Sequence, residues 1–155
     1  GTLRLITEVV VARAQTDRPF VILLDSDPPG KEAYDLLSGR RFGFSKKEQL
    51  LTYSVAFGKA RNVEVEAEDL FPVTLTERFL AACKTSGVLA GEPVVCPHLK
   101  RRRWPFSTAG KVEFIRHLEG MDRLPDLPAW ERLMDEIAGR IAGASAAGSG
   151  EADKS

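Results

Sequence analysis

Cysteine is scarce in this chain: Cys83 and Cys96 are the only two in 155 residues, and they are not closely spaced. That excludes a disulfide framework and a cysteine-rich zinc knuckle, and it suits a reducing compartment, so a cytoplasmic location is expected. Cys96 and His98 stand too isolated to form a metal site. An excess of charge of one sign is also missing, because 22 basic and 22 acidic residues cancel. No global field then draws the chain to nucleic acid or membrane, and any such binding must come from a local patch. No apolar run approaches the length of a membrane span, no signal-peptide pattern opens the chain, and no membrane partner is expected. Internal repeats are absent. The first residue is Gly1 rather than methionine, so the expectation is an excised piece of a longer protein.

What is present is ordinary for a globular domain, with 43% hydrophobic and 28% charged residues. The length suffices for one domain with a real core, expected over residues 1–142, with the small and polar stretch 143–155 as a flexible tail. "TLRLITEVVVARAQ" places Leu3, Ile6 and Val10 on one face of a helix, although its valine run also fits a strand. "FVILLD" is a continuous apolar run of strand length, as in a parallel sheet covered on both faces. A helix should follow from Pro28 or Pro29, with Ala33, Tyr34, Leu36 and Leu37 inward. "LLTYSVAF", "NVEVE" and "EPVVCPH" are further strand candidates. Thr74 and Glu77 have capping-box spacing before a helix whose buried face would carry Cys83. Another helix is predicted from Thr108, and the clearest one carries Trp130, Leu133, Met134, Ile137 and Ile141 as a core stripe. Strands alternating with helices predict an α/β layered domain with a largely parallel sheet flanked by helices and a helical C-terminal part.

The chemistry starts at "VILLDSDPPG". Asp25 and Asp27, at i and i+2, project to one side of an extended chain at the carboxyl end of a strand, where open α/β sheets place ligands. Hard oxygen donors of this kind suit Mg²⁺ or Mn²⁺. The plainer reading is that Asp27 caps the following helix while Asp25 bonds the turn. Glu68 and Asp69 in "VEVEAEDLFP" form a second acidic site, with Glu64 and Glu66 facing solvent. Two acidic sites at strand ends could hold one or two divalent ions for phosphodiester hydrolysis. Alternatively, Glu68 and Asp69 simply favour the first turn of a short helix. "LKRRRW", with Lys100, Arg101, Arg102, Arg103 and Trp104, is the concentrated basic patch. It could track a nucleic-acid backbone with Trp104 stacked on a base, or form a solvated loop with its tryptophan in the core.

Three segments together carry a family resemblance. "VILLDSDPPGKEA" resembles the D-x-D-x-x-G strand-to-helix segment of TOPRIM domains, the metal-dependent catalytic domains of topoisomerases, primases and certain nucleases. "VEVEAEDLFP" is similar to the acidic segment of the OLD-family nucleases (overcoming lysogenization defect), and "TAGKVEFIRHL" to their late segment with a functional lysine. The three span residues 20–120. The resemblance implies a TOPRIM-like, Rossmannoid fold and a Mg²⁺- or Mn²⁺-dependent DNA endonuclease using one or two ions. Asp25 and Asp27 would be catalytic metal ligands, Glu68 or Asp69 a further metal contact, and Lys111 the catalytic residue that stabilises charge on the scissile phosphate. Gly30 would let the backbone turn closely beside the metal. DNA is the implied partner, with an ATPase domain expected upstream and self-association through the longer protein left open.

The match has a gap. TOPRIM domains begin with a strand ending in a functional glutamate, and this chain is expected to lack it, Glu8 being a poor replacement inside a helical pattern. Weak or no activity from these residues alone follows. No G-x-x-x-x-G-K-[ST] occurs, since Pro105 stands where the first glycine belongs and Val112 follows Lys111. Alternatives are a primase- or topoisomerase-type TOPRIM module and a non-catalytic, receiver-like regulatory domain. Strand passage would need a nucleophilic tyrosine, and neither Tyr34 nor Tyr53 has the context for one.

Overall fold

The apolar run that ends at Asp25 does form a strand, and the helix behind it begins where an aspartate and two prolines put it. The computed structural model describes residues 18–40, 42–59 and 63–149. They divide into two compact units, Glu68–Trp130 and the residues on either side of it. The fold is mixed α/β with small sheets.

In the flanking unit, β1 (Ile22–Leu24) pairs in parallel with β2 (Leu50–Thr52), Ile22 opposite Leu50 and Leu24 opposite Thr52. The connection between them contains α1 (Pro28–Ser38). Asp27 caps this helix, its Oδ1 accepting from the Gly30 N–H at 2.8 Å. The prolines occupy first-turn positions whose N–H groups would have had no helical partner. Ala33, Tyr34 and Leu37 pack with Leu24, Phe44 and Leu50 into a core, whereas Leu36, predicted inward, is exposed.

The other predicted strands of this unit are cut short. The ladder stops at Thr52, and Tyr53–Phe57 of "LLTYSVAF" is a 3-10 turn ended by Gly58 at φ 62°. A buried Thr52–Ser54 hydroxyl pair at 2.8 Å supplies a local bond that competes with a continued ladder. In "NVEVE", residues 63–66 belong to no strand. Val65 is fully buried and its carbonyl accepts the Ser26 N–H at 3.4 Å, while Glu64 is exposed beside it. Among the described residues the expected parallel sheet is therefore a single parallel pair.

The Glu68–Trp130 unit has its own core of Leu75, Phe79, Phe106 and Phe114. Phe79 meets Phe114 edge-on at 5.2 Å and Phe106 stacks on Phe114 at 5.4 Å. Around it lie α2 (Val73–Ala82), an antiparallel pair of β3 (Val94–Cys96) with β4 (Arg101–Arg103), and α3 (Thr108–Glu119). Cys83 packs half-buried against this core. The predicted capping box does not form, because α2 already begins at Val73 behind Pro72 and has no side-chain cap. Thr74 is thus inside the helix rather than at its cap.

The last helix, α4 (Pro128–Ser149), continues into the stretch expected to be a tail. Alanine there favours the helix. Of its predicted core stripe Leu133 is fully buried, but Met134 and Ile141 are exposed. Arg140 ties the helix to β2, donating to the Leu50 carbonyl at 2.7 Å and to Glu136 at 2.8 Å. The predicted N-terminal helix with Glu8, and tail residues 150–155, lie outside the described residues.

Candidate active site

Asp25, Asp27 and Gly30 belong to the flanking unit. Asp25 follows the last residue of β1 and is exposed, Asp27 is half-buried, and Ser26 between them is fully buried with no partner for its hydroxyl. Asp27 performs the capping role through one oxygen, which leaves its second oxygen for other work. Gly30 is required by packing: a Cβ there would stand 2.0 Å from the Asp25 carbonyl oxygen and 2.9 Å from Asp27 Oδ1. No side chain fits in that space. The backbone of the D-x-D turn is therefore pressed onto the first turn of α1.

Glu68, Asp69, Lys111 and the basic stretch all belong to the other unit. A 3-10 turn, Ala67–Leu70, presents Glu68 and Asp69 in different directions. Glu68 Oε1 meets Lys111 Nζ at 2.6 Å, while its Oε2 is buried with no partner. Lys111 sits in the first turn of α3, whose N-cap Ser107 accepts the Gly110 N–H at 3.0 Å and donates to the Gly87 carbonyl at 2.6 Å. Gly110 touches the Val88 carbonyl so closely that a Cβ would lie 1.9 Å from its oxygen. The lysine's backbone is thus fixed from beneath, and its side chain is 50% exposed.

Asp69 turns the other way and is 2% exposed. Arg103 binds both carboxylate oxygens, through Nε at 3.2 Å and Nη2 at 2.5 Å. Arg101 grips the same turn by its backbone, donating to the carbonyls of Asp69 at 2.8 Å and Phe71 at 2.6 Å. Burial lowers the Arg101 pKa from its ordinary value; nearby Asp69 opposes that shift and Arg103 adds to it. Arg102, between them on β4, is exposed, as is Lys100, which takes φ 51° in the hairpin turn. Trp104 is buried at 8% exposure, so its ring is not presented for stacking on a base. A small pocket is lined by Glu68, Asp69, Thr76, Arg102, Trp104 and Phe106 among others.

The basic stretch, one patch in the sequence, is divided by the strand it forms. The signal was there: in a strand, alternate residues share a face, so Arg101 and Arg103 point together and Arg102 points away.

Among the described residues no group of three or more His, Cys, Asp or Glu side chains is placed to hold a metal ion. A closed protein cage is therefore not what these residues build. Mg²⁺ commonly takes one or two carboxylates and fills its remaining positions with water and phosphate oxygens. Within the flanking unit, exposed Asp25 and the second oxygen of Asp27 fit that looser kind of binding. Compared with family models, with curated proteins and with solved structures, the chain matches none.

Proposed function

We propose that this chain is a TOPRIM-like domain of the OLD-family nuclease type, contributing to Mg²⁺- or Mn²⁺-dependent hydrolysis of DNA phosphodiester bonds in the cytoplasm. The observation that carries the reading is the Glu68–Lys111 pair at 2.6 Å. The two residues are far apart in sequence, and the family resemblance assigns both to the site on motif grounds alone.

Asp25 and Asp27 are the metal-binding carboxylates that the resemblance implies. Of the second acidic pair, Glu68 rather than Asp69 is the one able to contribute, because both Asp69 oxygens are bound by Arg103. A divalent ion held by these carboxylates would supply activation of water and charge neutralisation at the phosphate. Lys111 places its ammonium against the phosphate from the first turn of a helix, where the dipole also favours an anion. Exposed Lys100 and Arg102 contact the DNA backbone without reading sequence. The same resemblance implies an ATPase domain upstream in the protein.

Nicking of supercoiled plasmid by the full-length protein with Mg²⁺ or Mn²⁺ tests this. Cleavage should disappear in Asp25→Asn and Lys111→Ala while both variants stay folded. A full-length protein that cuts with neither metal would reject the nuclease reading in favour of a regulatory domain.

A further inference from the structure

Arg101 and Arg103 of β4, unlike exposed Arg102, are turned onto the Ala67–Leu70 turn, and this gives them a different task. Four hydrogen bonds from Arg101 and Arg103 converge on one short turn: two on the Asp69 carboxylate, one on the Asp69 carbonyl and one on the Phe71 carbonyl. Glu68 is the residue immediately before that grip, and its carboxylate reaches Lys111. On the far side, Ser107 and Gly110 lock the first turn of α3 against Gly87 and Val88. Both partners of the Glu68–Lys111 pair are therefore held through their backbones.

Resting on the nuclease reading for its functional consequence, we infer that Arg101 and Arg103 are positioning residues that hold Glu68 on Lys111 by clamping the Ala67–Leu70 turn to β4. The chemistry suits arginine. Its planar fork binds a carboxylate with two parallel donors, and a lysine at the same place supplies only a point charge. Asp69 in this arrangement is the handle that Arg103 grips. Because Asp69 and Arg103 are both largely buried, the clamp is shielded from the salt screening that weakens exposed pairs. Glu68 itself needs only to follow the turn.

The measurement is the NMR signal of the Lys111 ε-methylene in the full chain carrying ¹³C-labelled lysine. Glu68→Gln gives the signal position when the carboxylate charge is gone. Arg103→Gln should carry the Lys111 signal more than half of the way to that position, through the loss of its grip on Asp69. Arg103→Lys should bring back only part of the shift. Amide spectra of the core around Phe79 and Phe114 should stay unchanged, which a general loss of structure would not allow. If Arg103→Gln loses the fold, Asp69→Asn breaks the same grip from the other side and must move the Lys111 signal likewise. A Lys111 signal that stays in place in a folded Arg103→Gln or Asp69→Asn chain overturns the inference, even if plasmid nicking still requires Lys111. Conversely, a shifted signal in a protein that never nicks DNA leaves the clamp standing and rejects the nuclease reading.

Discussion

Two glycines show how closely single residues are specified around the candidate site. Gly30 lies against the Asp25 carbonyl and Gly110 against the Val88 carbonyl, each too near for a methyl group. In both places the neighbour is backbone, which cannot swing aside as a flexible side chain could. Gly30→Ala should cost roughly 2–4 kcal/mol of stability, in the range of other overpacking changes that force the backbone to shift. Urea denaturation of the variant checks this, and an unchanged midpoint would mean the turn can open without penalty. Asp27 offers a cleaner separation of roles. Asp27→Ala removes the N-cap bond and should cost about 1 kcal/mol, whereas Asp27→Asn keeps an acceptor oxygen and should stay within a few tenths of wild type. If the carboxylate also serves a metal, nicking by the full-length protein should fall in both variants. Equal nicking in wild type and Asp27→Asn would leave Asp27 as a cap alone.

At the scale of elements, the strongest attachment at the site is between β4 and the Ala67–Leu70 turn. Asp69→Ala would leave the Arg103 guanidinium buried without its carboxylate, and removal of one partner from a buried pair costs about 3–5 kcal/mol. A fall in the urea midpoint checks it, and a loss under about 1 kcal/mol, typical of surface pairs, would show that Arg103 finds water instead. Elements also explain what was legible in the sequence. The start of α1 was readable because Asp27, Pro28 and Pro29 carry a local signal that needs no tertiary partner. α3 was equally readable behind Ser107. β2 was overextended because "LLTYSVAF" has strand composition throughout, and the buried Thr52–Ser54 bond that ends the ladder is not visible in composition. Thr74 failed as a cap because Leu75 and Phe79 are needed in the core, and that need is met by a helix already under way at Val73. Asp69 and Glu68 looked equivalent as neighbours in sequence. Only the fold gives one to Arg103 and the other to Lys111.

At the scale of the molecule, the segment Glu68–Trp130 is contiguous in sequence and contains its own core, its own hairpin and both ion pairs discussed above. Phe71 packs on Trp130 at 5.6 Å and on Phe114 at 5.1 Å, so the last residue of the segment is tied to its first turn. Such a segment has most of what autonomous folding requires. It is also short, and cores of this size rarely supply more than about 3–5 kcal/mol. Expressed alone, residues 68–130 should therefore unfold in urea as one cooperative transition of low midpoint, followed through the fluorescence of Trp104 and Trp130. The Lys111 ε-methylene should keep its full-chain NMR position in this fragment, because Glu68 and the clamp behind it are included. A broad, non-cooperative urea curve would mean that this core is completed by residues outside 68–130. A cooperative fragment with a displaced Lys111 signal would mean something narrower: the segment folds unaided, but the placement of Lys111 draws on the other unit.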